Sequence, residues 1–200
     1  MGGVHQSARS WRRMLVIPNA PARLRLPIER HWDGTRCPNP RRRGEVSLAV
    51  GPEGLEIGAS FQRQIPARLP DAPPGTRVAN LWEYDVVECF LAGEGGGYLE
   101  VELGAGGHFL VLAFDAPRRR TNDHAGLAPP LSFREDAERW HAWLRLPLAL
   151  VPAGLCALNA FAIAGGSFLA HHPVPGPAPD FHQPQAFPRA GFEARPAPSR

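Results

Sequence analysis

The sequence predicts an all-β fold, an antiparallel β-sandwich or jelly roll built as a single domain. Three observations lead there. Turn residues are dense, with 21 glycines and 23 prolines in 200 residues, a spacing that leaves little room for long helices. Between the turns lie short runs rich in aromatic and β-branched side chains, the types that fit a pleated surface. Several runs alternate apolar and polar residues, so each sets one face against a core.

The elements follow in order. Residues 1–22 read as a disordered segment or extension, or as a misplaced start, outside the fold. Arg12 and Arg13 precede only Met14-Leu15-Val16-Ile17 before Pro18, and a secretory signal needs about seven or more apolar residues there. The domain is expected to span residues 23–189. Residues 24–30 form a first strand that ends at the turn Trp32-Asp33-Gly34. Residues 45–50 and 55–61 flank Gly51-Pro52-Glu53-Gly54 as a hairpin. Residues 62–80, with Pro66, Pro70, Pro73 and Pro74, form a long loop.

Residues 81–91 read as a strand that places Trp82, Tyr84, Val86, Glu88 and Phe90 on one face. Residues 98–103 alternate, with Leu99, Val101 and Leu103 opposite Tyr98, Glu100 and Glu102. A glycine-rich turn then leads to a partner strand at 108–114. Residues 115–130 read as a polar loop and 140–146 as a strand broken by Pro147. Residues 155–164 are apolar and end at Gly165-Gly166, which favours a buried strand over a short helix. A short strand is expected at 168–171. Proline dominates from Pro173, and residues 190–200 form a tail. The expected core holds Leu48, Ile57, Val87, Leu99, Val101, Leu110, Leu112, Leu144, Phe161 and Ile163.

Composition excludes several functions. The net charge is only +3, so the chain is not read as a nucleic-acid binder. The basic residues are all arginines, which rules out lysine Schiff-base chemistry and a P-loop. The runs Arg41-Arg42-Arg43 and Arg118-Arg119-Arg120 read as solvated loops. No stretch approaches the ~20 apolar residues of a membrane helix, so no membrane partner is expected. Cys37, Cys89 and Cys156 lack metal spacing and read as reduced, in a cytoplasmic setting. The alternative for them is a Cys89–Cys156 bridge across the sandwich.

Two groups of residues carry the functional reading. Trp82, Tyr84 and Glu88 place flat rings beside an acid on one face, the chemistry that a sugar requires. Set against this is a structural role, with the rings capping the sandwich and Glu88 paired to an arginine. Glu100 and Glu102 would join Glu88 if the two strand faces adjoin; otherwise they lie on a solvated outer face. Like charges brought together raise a carboxyl pKa, and paired carboxyls about 5–10 Å apart serve glycosidic chemistry. In the second group, His171, His172, Asp180 and His182 lie in or beside a proline-rich loop, with His108 or Asp85 to complete a set. These are metal-ligand types, and the other reading is a loop pinned by hydrogen bonds.

Five segments, in order, carry a resemblance: Leu81 to Glu88, Tyr98 to Leu103, Gly107 to Leu112, Asn159 to Ile163, and Pro179 to His182. They resemble an uncharacterised family of small proteins found in animals and bacteria. More distantly they are similar to DOMON-like domains of the family 9 carbohydrate-binding module type. The resemblance covers about residues 24–188. It implies a β-sandwich that grips a sugar between two tryptophans, with acid, amide and arginine side chains bonding its hydroxyls. The module's first tryptophan and acid lie six residues apart, as Trp82 and Glu88 do. Its asparagine corresponds to Asn159. Ala162 stands where its second tryptophan falls, and Glu100 and Glu102 occupy the region of its paired arginines. The structural calcium of that module has no guaranteed acidic loop here.

The resulting expectation is a non-catalytic domain that binds a carbohydrate or similar polyol. Trp82 stacks, Glu88 accepts hydroxyl hydrogen bonds, and Asn159 and His108 assist. The expected ligand-binding set is Trp82, Tyr84, Glu88, Glu100, His108, Asn159, His171, Asp180 and His182. No catalytic residue, metal ligand or cofactor is assigned. The alternatives are a metal- or carboxylate-dependent hydrolase using Glu88, Glu100, Asp180, His171 and His182, and a protein-interaction domain.

Overall fold

Fourteen short strands follow the turn pattern of the sequence in the computed structural model, which describes residues 14–194. The first five are β1 (Leu15–Ile17), β2 (Leu24–Ile28), β3 (Arg30–His31), β4 (Gly44–Gly51) and β5 (Gly54–Gln62). Next come β6 (Val86–Gly93), β7 (Tyr98–Gly104), β8 (Phe109–Ala116), β9 (Arg119–Asn122) and β10 (Leu131–Glu135). The last are β11 (Arg139–Leu146), β12 (Leu155–Ala164), β13 (Ser167–Ala170) and β14 (Ala190–Phe192). Among the described residues the only helical pieces are short 3-10 turns, and no helix is long and apolar enough to cross a membrane.

β1 and β14 pair separately, and the other twelve strands form two antiparallel sheets. One has five strands in the order β10-β11-β5-β4-β2; the other has seven, in the order β3-β13-β12-β6-β7-β8-β9. The β4–β5 hairpin turns through Pro52 and Glu53 and pairs Gly51 with Gly54. Gly54 has φ of 143°, and a Cβ there would lie 2.2 Å from the Leu146 carbonyl oxygen, so the turn requires glycine. Between the sheets lies the main core, where Leu26, Leu48, Leu55, Leu91, Leu99 and Leu144 have no exposed surface.

The seven-stranded sheet is covered on its second face as well. Val87, Cys89 and Leu91 of β6 point into the main core, while Val86 and Phe90 point the other way into a second apolar cluster. That cluster takes Tyr98, Leu110, Leu112 and Phe161 from the sheet. Val174, Phe181 and Phe187 close over it from the segment that follows β13. We call residues 171–187 the strap. Every residue of β6 and β7 is consequently buried.

Several expectations are corrected here. The strand expected at 81–91 begins only at Val86, and Leu81–Glu83 is a 3-10 turn. Asp85 explains the break: its carboxylate accepts from the Arg68 and Gly165 amides and ties the chain to two loops before the strand starts. The polar loop expected at 115–130 contains β9, which pairs back on β8. Leu131–Glu135 adds a further strand to β11. The expected extension and tail meet each other, because β1 pairs in parallel with β14 and fully buried Ile17 joins the main core. The expectations for residues 1–13 and 195–200 lie outside the described residues. Ile163 is only partly buried. The three cysteines are unbridged.

Candidate functional site

The strap and the turn before β6 stop short of covering the whole second face, which leaves an open cavity of about 480 Å³. That volume falls within the usual range of small-molecule sites. β-strand parity supplies the floor. On β6 and β7 the outward positions carry Glu88 and Glu100, which line the cavity, and Glu102, which shares their face but does not line it. Glu88 stands directly opposite Glu102 in register, and Glu100 opposite Phe90. Side chains at such positions are immediate neighbours. The three carboxyls expected to converge only if the faces adjoined do converge. The solvated outer face is overturned, because the strap and its aromatic cluster cover most of it and leave all three carboxyls buried.

Burial governs the chemistry of this floor. Glu88 and Glu100 are each 2% exposed and Glu102 is fully buried. Among the described residues none of the three makes an ion pair, so the structural reading of Glu88 as an arginine partner does not hold. Oxygens on each of them lack a hydrogen-bond partner among the described residues. Desolvation, then repulsion from Glu100, raises Glu88 well above the ordinary carboxyl range. Glu102 rises likewise through burial and through both neighbours. Burial pushes Glu100 up to about 8, although Arg118 and Arg120 pull it down.

The β8–β9 turn provides the cationic rim. Arg118 adopts φ of 59°, uncommon for a residue with a Cβ. Its amide donates to the Tyr98 hydroxyl at 2.9 Å, and its guanidinium donates to Asp180 at 2.9 Å. Arg120, two residues on, lines the same cavity. The Tyr98 hydroxyl accepts the Arg118 amide and lies 2.8 Å from His182 Nδ1. Tyr98 and His182 share this hydrogen bond, whose donor is set by the His182 tautomer. Burial, then Arg118, lowers the His182 pKa to about 4. Tyr98 stacks on Phe114 with ring centroids 4.6 Å apart, so the ring that holds His182 is itself held.

Aromatic surface completes the site. Trp82 reaches the cavity from the 3-10 turn and Phe168 from β13, each 37% exposed. Phe181 of the strap lines it too, stacked on Phe161 at 4.1 Å.

Of the expected ligand residues, Trp82, Glu88, Glu100 and His182 come together here. Asp180 acts behind them by holding Arg118 and by accepting from the His182 amide. Four others lie elsewhere. Tyr84 packs against the outer cluster. His108 is buried beneath the 66–80 loop and donates from Nε2 to the Ala72 carbonyl at 2.8 Å. Asn159 is fully buried and serves the strap: its Nδ2 donates to the His172 carbonyl, and its Oδ1 accepts the His172 and Ala160 amides. His171 bonds the Pro27 carbonyl through Nδ1. The metal set proposed from His171, His172, Asp180 and His182 is thus dispersed, and no cluster of three or more ligating groups occurs among the described residues.

Phe168, Arg118 and Arg120 line the cavity although sequence reasoning did not place them in a site. The only signal the arginines carried was the basic run itself, because Arg118 sits in the turn before β9 and strand parity does not link it to Arg120. Reading 115–130 as a loop set that run in solvent.

Comparison with known proteins adds the following. The UPF0462 protein C4orf33 homolog of Danio rerio is 33% identical over 175 residues, covering 80% of this chain and 85% of that protein. UPF0462 protein C4orf33 of Homo sapiens is 35% identical over 170 residues, covering 78% and 81%. Among solved structures, a Bacteroides uniformis protein described as a "putative carbohydrate-binding protein" superimposes with a TM-score of 0.61. It is 18% identical, and the match covers 84% of this chain and 86% of that one; the likeness is one of fold. No family model matches the chain.

Proposed function

The chain belongs to the UPF0462 (C4orf33) family, and on that footing we propose that its cavity binds a carbohydrate or similar polyol without transforming it. The observation that carries this reading is that Trp82 and Glu88 line one open hollow. A sugar presents an apolar C–H face and a rim of hydroxyls. Exposed Trp82 and Phe168 offer flat apolar surface for the first. For the second, a protonated carboxyl both donates and accepts, as a hydroxyl does, and Glu88 and Glu100 both line the cavity. The fold neighbour described as carbohydrate-binding supports the same direction.

Each ring contact contributes about 1 kcal/mol, and a few hydrogen bonds add a similar amount apiece. Dissociation constants of about 10 µM to 1 mM are the corresponding expectation. Titration calorimetry against a panel of mono- and disaccharides tests the proposal, with Trp82→Ala as the control. Heat that saturates with at least one sugar and weakens about five- to tenfold in the variant supports it. No heat with any sugar ends it.

A further inference from the structure

We propose that the cavity selects sugar acids: its ligand is a polyhydroxy ring bearing a carboxylate, held by Arg118 and Arg120 above hydroxyl contacts to Glu88 and Glu100. This rests on the carbohydrate reading above and narrows it to a charge class.

The argument begins with what cannot be charged. Glu88, Glu100 and Glu102 occupy adjoining outward positions of two neighbouring strands, buried and without an ion pair among the described residues. Three bare carboxylates so placed would repel one another and forfeit their hydration. Protons on these groups relieve both costs, and the Glu88 and Glu100 carboxyls that line the cavity then serve as neutral donors and acceptors. Burial holds all three in that form near neutral pH. Tyr98 stays protonated and His182 stays neutral in the same range. The floor therefore carries little charge.

The rim does carry charge. Arg118 and Arg120 both line the cavity. Asp180 engages Arg118. The guanidinium of Arg120 makes neither an ion pair nor a hydrogen bond among the described residues, so the site has one positive charge in excess. A neutral sugar leaves that fork unused. A carboxylate matches it in charge and in planar geometry. An ammonium group is repelled by the rim and finds no ionised acid in the floor.

Calorimetry at pH 7 with three ligands sharing one ring, glucose, glucuronate and glucosamine, tests this, run in parallel with the galactose counterparts. The expected order is the acid first, at least tenfold tighter than the neutral sugar, with the amine weakest. Arg120→Gln, a change at an exposed position, should bring the acid and the neutral sugar to within about threefold. Neutral sugars binding as tightly as the acids, or amines binding more tightly, overturns the charge selection and leaves the carbohydrate reading standing. An acid preference undiminished in Arg120→Gln also overturns the assignment. Silence from all six ligands removes the carbohydrate reading and this inference together.

Discussion

Replacing Glu100 with Gln should make the protein progressively more stable than the parent as the solution becomes alkaline. In the folded chain the Glu100 carboxyl holds its proton up to about pH 8, whereas its ordinary value is 4.5. Between those values the unfolded chain has released the proton and the folded chain has not. The stabilisation from a neutral Glu100 is therefore complete below about pH 4.5, and it drains away as pH rises towards 8. The window of 8 minus 4.5 spans about 3.5 pH units. At about 1.4 kcal/mol per pH unit, the difference approaches the order of 5 kcal/mol, a large part of the ~5–15 kcal/mol that holds a domain folded. Glutamine has the shape of the protonated acid and no proton to lose. Urea unfolding of both proteins from pH 5 to pH 9 reads the effect directly. The two midpoints should nearly coincide at pH 5 and separate steadily towards pH 8.5. Curves displaced by a constant amount across the range would refute a neutral buried Glu100.

Three further outcomes follow from other parts of the molecule. Ile17→Ala should cost about 2–5 kcal/mol in unfolding experiments, because Ile17 is fully buried in the main core; a loss below ~0.5 kcal/mol would return β1 to the status of an appendage. Tyr98→Phe should destabilise by about 1–3 kcal/mol, since it strips the partner from both the Arg118 amide and His182 Nδ1; thermal melting checks it. His182 supplies an acid limb: its folded value of about 4 lies below the ordinary 6.5, so stability is intact above pH 6.5 and falls as pH drops towards 4. His182→Phe should flatten that limb, read as the pH dependence of the urea midpoint.

How much was legible in the residues depends on distance along the chain. The alternation in 98–103 correctly grouped Tyr98, Glu100 and Glu102 on one face, and the hairpins around Pro52-Glu53 and the glycine-rich turn at 104–107 follow from local backbone preference. These are properties of neighbours one to four residues apart. What covers a face is a different kind of fact. The carboxyl face is covered in large part by Val174, Phe181 and Phe187, some eighty residues from the strands they cap. Nothing in the polar alternation of 98–103 separates a face in water from one beneath a distant strap.

Trp82 and Glu88 show the same division. Their six-residue spacing suggested one strand face, and they do share one cavity, but Trp82 arrives there from a 3-10 turn that Asp85 pins between two loops. Arg118 and Arg120 looked like solvated surface until β9 paired with β8 and turned them over the acids. The sequence alone determined the β-class, the strand parity and the residue types available for binding, because period, turn chemistry and composition act locally. Only tertiary contacts decided which polar face left water, which cations met it, and that the first and last described strands close the fold together. Burial and charge proximity depend on the packing of segments remote in the chain.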